Sequence, residues 1–211
     1  MLTVLLAALA LQHPDTNAIL DRAIAAYRNV STLRADFTQT LHDPMIGTDA
    51  SSRGQLYQQR PDRFAMRWTE PRGDALVVDG RYLWVYLPSS VPNQVVKSAV
   101  SARPGESPDV IAEFLVSPRE RFTVTDIGSE SVGDRSTDVL SFTPKQANTP
   151  YRQIVVWFDA RDNLPRQIEI TEASGAVRRI TLSHLRVNTP IAASTFNFRV
   201  PAGVRVVDAS P

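Results

Sequence analysis

Apolar and polar side chains alternate with a period of two along most of this chain, and that alternation constrains the fold more than any other feature. Leu33, Ala35 and Phe37 alternate with Arg34, Asp36 and Thr38, so an extended backbone presents one apolar and one wet face until the polar Gln39 and Thr40. Further strands are predicted at 54–60, 63–68, 75–78, 82–87 and 94–98, then at 122–127, 139–143, 153–158, 164–172 and 177–187, with a final stretch near 196–207. Turn signals separate them: Arg60-Pro61-Asp62, Pro71-Arg72-Gly73-Asp74, Asp79-Gly80, Asp162-Asn163 and Ser174-Gly175. Asp79-Gly80 between two apolar runs has the form of a two-residue hairpin loop of the primed type.

Two segments depart from this period. After Pro14-Asp15-Thr16-Asn17, the residues Ile19, Leu20, Ala23, Ile24, Tyr27 and Val30 recur at three- and four-residue intervals, the pattern of one amphipathic helix whose apolar face needs covering. Between Ala99 and Pro118, prolines bracket the apolar run from Asp109 to Val116, predicting a short helix on a loop, placed as a natural lid. No linker or fixed-period repeat divides the chain. About eleven strands with short turns therefore predict one domain: an open, curled antiparallel sheet, a half-closed barrel with helices on its concave side.

Composition narrows the function. The 23 Lys and Arg balance 22 Asp and Glu for a net charge of +1, without the basic block that phosphate binding requires, so nucleic acid is not an expected partner. Met1 to Ala10 is an apolar run ending in a small-x-small triplet, predicting a cleaved signal peptide over residues 1–10 and a mature domain over 11–211. There is no cysteine, which removes disulfides, thiolate metal sites, a cysteine nucleophile and acylation at a lipobox. His13, His42 and His184 stand singly, without metal-ligand spacing. The G-x-S-x-G, H-E-x-x-H, Walker and G-x-G-x-x-G motifs are all missing, and Asp159 and Asp162 read as hairpin chemistry between two strands. Neither a catalytic residue nor a metal or other cofactor is expected.

Bulky apolar residues concentrate on alternate positions. Phe64, Met66 and Trp68 share one face of a strand, and Tyr82 to Leu87 is apolar on both faces, predicting cover on each side of it. Each residue alone reads as core, but a sheet this wide encloses more volume than the few helical segments fill, which predicts a ligand cavity.

Several motifs then follow one another in an informative order: Ser31-Thr-Leu-Arg-Ala-Asp-Phe-Thr-Gln39, Gly54-Gln-Leu-Tyr57, Arg60-Pro61 with Phe64 and Trp68, Pro71, Val77-Val-Asp-Gly-Arg81 with Trp84-Val-Tyr86 and Pro88, and Phe196-Asn-Phe198 before Pro201 and Gly203-Val204. In series they resemble the periplasmic outer-membrane lipoprotein carrier family, LolA, over almost the whole mature chain. The resemblance implies an unclosed antiparallel β-barrel covered by helices that form a lid over a hydrophobic cavity. It implies a periplasmic, monomeric carrier that takes acylated lipoproteins from an inner-membrane lipoprotein-releasing ABC transporter to an outer-membrane acceptor. Candidate cavity positions are Phe37, Leu56, Phe64, Met66, Trp68, Leu76, Trp84, Val156, Phe158, Ile168 and Ile170, with Ile111, Phe114 and Leu115 on the lid. The family's Arg-Pro pair maps its lid-holding arginine onto Arg60. The chain departs from the family at Met66, where an aromatic is usual, and in the proline-rich 99–118 segment. Two other readings use the same residues: a lipid- or lipoprotein-sensing module of this fold, and a lipid-processing hydrolase.

Overall fold

The computed structural model describes residues 15–45, 47–100, 109 and 111–209; the signal segment expected at 1–10 lies outside them. Helix α1 (Thr16–Arg28) is followed by β1 (Thr32–Asp43), β2 (Thr48–Gln59), β3 (Arg63–Glu70), β4 (Ala75–Asp79), β5 (Tyr82–Tyr86) and β6 (Gln94–Ala99). Two short helices, α2 (Ala112–Leu115) and α3 (Pro118–Arg121), precede β7 (Phe122–Val132), β8 (Arg135–Pro144), β9 (Tyr151–Asp159), β10 (Pro165–Glu172) and β11 (Val177–Val187). A 3₁₀ turn (Ala193–Phe196) and the short β12 (Arg205–Asp208) complete the order.

The strands form one twelve-stranded sheet in the order β12-β6-β5-β4-β3-β2-β1-β11-β10-β9-β8-β7. Its edge strands β12 and β7 do not pair with each other, so the sheet is unclosed. Each neighbouring pair is antiparallel except β12 with β6, which runs parallel. The entirely antiparallel sheet expected from the sequence is corrected at this one junction. The expected last strand at 196–207 is shorter for a local reason: Phe196 closes the 3₁₀ turn, and Pro201 followed by the Ala202–Gly203 turn interrupts extension until Arg205.

Strand lengths differ from the alternation where backbone pairing outlasts the side-chain pattern. β2 begins at Thr48 and not Gly54, because Asp43 to Thr38 of β1 continue the ladder opposite Thr48 to Arg53. Pro118, expected to end the lid helix, instead opens α3, where its fixed φ suits the first helical position and its missing N–H costs nothing. The Asp79-Gly80 loop is as expected a tight one: Gly80 has φ 97°, and the Asp79 carboxylate accepts from the N–H groups of Arg81 and Tyr82.

The inner face, on which α1 and α2 lie, carries the main core. Leu33, Ala35 and Phe37 of β1 meet Leu56 of β2, Phe64 and Met66 of β3, Leu140 and Phe142 of β8, Val156 and Phe158 of β9 and Ile168 of β10, all buried in one cluster with Ile19, Leu20, Ala23, Ile24 and Tyr27 of α1. The outer face holds two smaller clusters. In one, Phe196 is buried against Ala65, Ala75 and Val77; in the other, Val139, Val155 and Trp157 pack together. Phe198 stacks on Trp84 at 5.6 Å. β5 is therefore in apolar contact on both faces, as its sequence implied, although each of its residues is only half-buried.

Gly54 marks a register shift between β2 and β3, and a Cβ there would sit 2.2 Å from the Arg67 carbonyl oxygen. Because that neighbour is backbone and cannot swing aside, Gly54→Ala should destabilise the protein by about 3 kcal/mol, the upper end of the overpacking range. Urea unfolding compared with wild type checks this; a loss below 0.5 kcal/mol, on the order of an ordinary surface change, would show that the strands separate freely here.

Candidate functional site

The inner cluster gathers most residues singled out in the sequence. Leu56 lies between Ala35 and Met66 in register, Phe64 lies opposite Val78, and Ile168 lies between Val156 and Ile180. Phe37, Leu56, Phe64, Met66, Val156, Phe158 and Ile168 are buried together, while Trp68, Leu76 and Ile170 are half-buried against the same cluster. Trp68 meets the Phe37 ring edge-on at 5.4 Å. Trp84 is the exception. It pairs with Val77 and faces outward to Phe198, because the pleat that sends Leu83 inward sends Trp84 to the opposite side.

Ile111, Phe114 and Leu115 are fully or almost fully buried in this cluster. Phe114 stands 5.7 Å from Phe142 and 6.2 Å from Phe158. The cover on the inner face thus has two parts, α1 and the Ile111–Leu115 stretch, each held mainly by apolar contact.

Arg60 sits where β2 ends. Its guanidinium donates to the carbonyls of Tyr27 at 3.0 Å, Arg28 at 3.4 Å and Val30 at 3.4 Å, and lies 5.0 Å over the Tyr27 ring. These are carbonyls left over at the C-terminus of α1, where a cation is also favoured by the helix dipole, at roughly 0.3–1 kcal/mol. Arg60 therefore holds α1, not the Ile111–Leu115 stretch.

The tie to that second part runs through residues that sequence reasoning passed over. Gln58, 1% exposed, is opposite Leu33 and Phe64 and so faces inward. Its Nε2 donates to the Tyr27 hydroxyl at 2.6 Å and to the Asp109 carboxylate. Asp109 also accepts from the N–H groups of Ile111 and Ala112, capping the turn that carries the buried Ile111. Two signals were available: a polar residue on an inward pleat, and an Asp directly after Pro108.

Elsewhere the ionisable groups are engaged in structure. Asp159 binds Arg135 and Arg166, and Asp162 binds Arg166; in Asp159 these contacts outweigh the upward push of burial and leave its carboxyl below the usual range. Glu113 joins Arg121 and the Tyr151 hydroxyl. A cleft of about 560 Å³ lined by Asp134, Arg135, Asp162, Arg166, Ser183 and His184 contains none of the predicted site residues. Among the described residues no three His, Cys, Asp or Glu side chains converge to hold a metal.

This is the class the fold and site define: an open-sheet protein whose chemistry is the burial of apolar groups on one face beneath short helices. The chain belongs to the LolA family, the outer membrane lipoprotein carrier proteins, whose family model matches residues 28–199. It is 30% identical over 208 residues to the outer-membrane lipoprotein carrier protein of Cupriavidus necator, covering 96% of this chain and 93% of that one. The like-named protein of Chromobacterium violaceum is 28% identical over 207 residues, with coverage of 98% and 96%. Among solved structures, an uncharacterised conserved protein from Thermus thermophilus shares the fold with a TM-score of 0.57 at 14% identity, over 91% of this chain and 98% of that one. MucB shares it at 0.53 and 16% identity, over 92% of this chain and 66% of MucB.

Burial holds the Asp109 carboxyl above the ordinary carboxylate range, against the pull of the Ala112 and Ile111 N–H groups, Gln58 and the Arg60 charge. A raised pKa in the folded state means that its contribution is fully present below the unfolded value and lost as pH rises through the folded value. Asp109→Asn keeps a cap and removes the titration, so the variant should gain stability relative to wild type between pH 4 and pH 8 (about the unfolded value upward). Parallel urea titrations at the two pH values check it, and an unchanged difference would contradict the assignment.

Proposed function

We propose that this protein is a periplasmic carrier that holds the acyl chains of lipoproteins between the inner face of its sheet and the helices lying on it. The observation that carries the reading is the single apolar cluster running from the strands into α1 and Ile111–Leu115. That cover belongs to no strand ladder with the inner face, so it can lift as a lid and let acyl chains take the place of its side chains. The lipoprotein-releasing ABC transporter of the inner membrane would load it, and an outer-membrane acceptor would unload it.

Magnitudes support a carrier. At about 0.8 kcal/mol per buried CH₂, a sixteen-carbon chain in an apolar site is favoured over water by roughly 12 kcal/mol, so unaided crossing of an aqueous space is prohibitively slow. The site must therefore cover the chain and still release it. Phe37, Leu56, Phe64, Met66, Trp68, Leu76, Val156, Phe158, Ile168 and Ile170 would line the opened cavity, and the return of Ile111, Phe114 and Leu115 to their contacts would drive cargo out.

The half-buried Trp68 offers the cleanest test of the lining. Trp68→Glu should weaken binding of a fluorescent acyl probe by roughly 2 kcal/mol or more, because a charge would face the chain, while wild type binds with a negative heat-capacity change. Equal affinity in the two folded proteins would place the chain elsewhere. Arg60 should act on release: its carbonyl bonds favour the closed, empty form, at about 1.5–3 kcal/mol for a charged hydrogen bond before solvent screening reduces it. Arg60→Leu should accept lipoprotein and deliver it slowly. Timing transfer from loaded carrier to acceptor-bearing membranes would decide it, and delivery at the wild-type rate would remove Arg60 from the latch.

A further inference from the structure

The inner face contains a polar group that its apolar task does not require. Gln58 lies between the buried Leu33 and Phe64 in register and is 1% exposed. Its amide nitrogen is used twice, toward Tyr27 and Asp109. Its carbonyl oxygen is buried and has no hydrogen-bond partner. The orientation of the amide follows from those neighbours, since only the nitrogen end can donate to the Asp109 carboxylate. A carbonyl has two acceptor sites, and a buried one left unmade is a cost that folded proteins ordinarily avoid.

The position of this acceptor matters as much as its lack of a partner. Tyr27 belongs to α1 and Asp109 begins the second part of the cover, so Gln58 is the point on the sheet where both parts meet. When they part, the Gln58 side chain is uncovered first at its polar end, beside the apolar strip formed by Phe64, Met66 and Leu76. A ligand that satisfies this point must place a hydrogen-bond donor at one end of an apolar chain.

We propose that Gln58 Oε1 is a specificity-determining acceptor for the amide N–H at the root of an N-acyl chain. The inference rests on the carrier reading and deepens it: the apolar strip takes the chain, and Gln58 distinguishes an amide-linked acyl group from an ester-linked one. An ester oxygen has no proton to donate and repels the carbonyl lone pairs, whereas the amide N–H completes the bond that the closed form leaves unmade. The same pairing provides an exchange. In the empty protein the amide of Gln58 ties down the cover, and in the loaded protein it holds the cargo.

Two probes differing by one atom group test this: N-palmitoylglycine methyl ester and its analogue with oxygen in place of the N–H. Calorimetry should find that wild type binds the amide about tenfold more tightly, as one net hydrogen bond predicts. Gln58→Leu and Gln58→Met, each verified as folded by circular dichroism, should reduce that ratio to about one. A general loosening of the interior would weaken both probes together and leave the ratio intact, so a ratio preserved in either folded variant overturns the proposal. A wild-type ratio near one overturns it equally, while the carrier reading survives. If wild type binds neither probe, the carrier reading itself fails and takes this inference with it.

Discussion

An apolar sheet face that its own strands do not close over is the constraint from which the rest of this structure follows. In a closed barrel, inward side chains meet each other and the edges vanish. Here β12 and β7 stay apart, so the inner face depends on α1 and on Ile111–Leu115 to exclude water. The free edges are managed locally. Asp126 of β7 directs its N–H to the Thr16 hydroxyl at the start of α1, and a bulge at Gly128 breaks the register beside it. β12 has only four residues, a length that offers little template for another chain.

The two faces are covered by different physics. On the outer face, Phe196 and Phe198 belong to a segment that Arg67 holds at the Thr195 carbonyl, and that ends as β12 in the sheet itself. Backbone pairing makes that cover part of the sheet. On the inner face, the cover is joined to the sheet by side chains: Arg60 at the end of α1, Gln58 at Tyr27 and Asp109, and Arg22 at Asp138 and Asn163. Exposed ion pairs of the last kind contribute ~1 kcal/mol or less, so apolar contact supplies most of the hold. Such a cover is replaceable by another apolar body of similar shape, and a lipid chain is one.

The polar contacts at the junction then have a function that burial alone cannot supply. Apolar contact is non-directional and would let α1 slide over the sheet. Arg60 fixes the helix end by three carbonyls, and Gln58 fixes the distance between α1, β2 and the Asp109 cap. Family membership and the residues on this face agree, since a carrier of acyl chains needs a strongly apolar interior with a defined closed state.

Much of this was legible in sequence, for reasons that particular residues make plain. The alternation of Leu33, Ala35 and Phe37 and the three- and four-residue spacing of Ile19, Leu20, Ala23 and Ile24 are local properties of the backbone, so they placed β1 and α1 without tertiary knowledge. The order of motifs identified the family. Tertiary structure decided what depends on distant contacts. It turned Trp84 outward, because the pleat of β5 is set by its pairing with β4, and it extended β2 back to Thr48, because β1 was there to pair with. It laid Phe196 and Phe198 on the outer face and made β12 parallel to β6. It brought Gln58 of β2 to Tyr27 and Asp109, residues 31 and 51 positions away. A sequence records which side chains are able to meet, but only the closed form of the sheet and its cover determines which of them do.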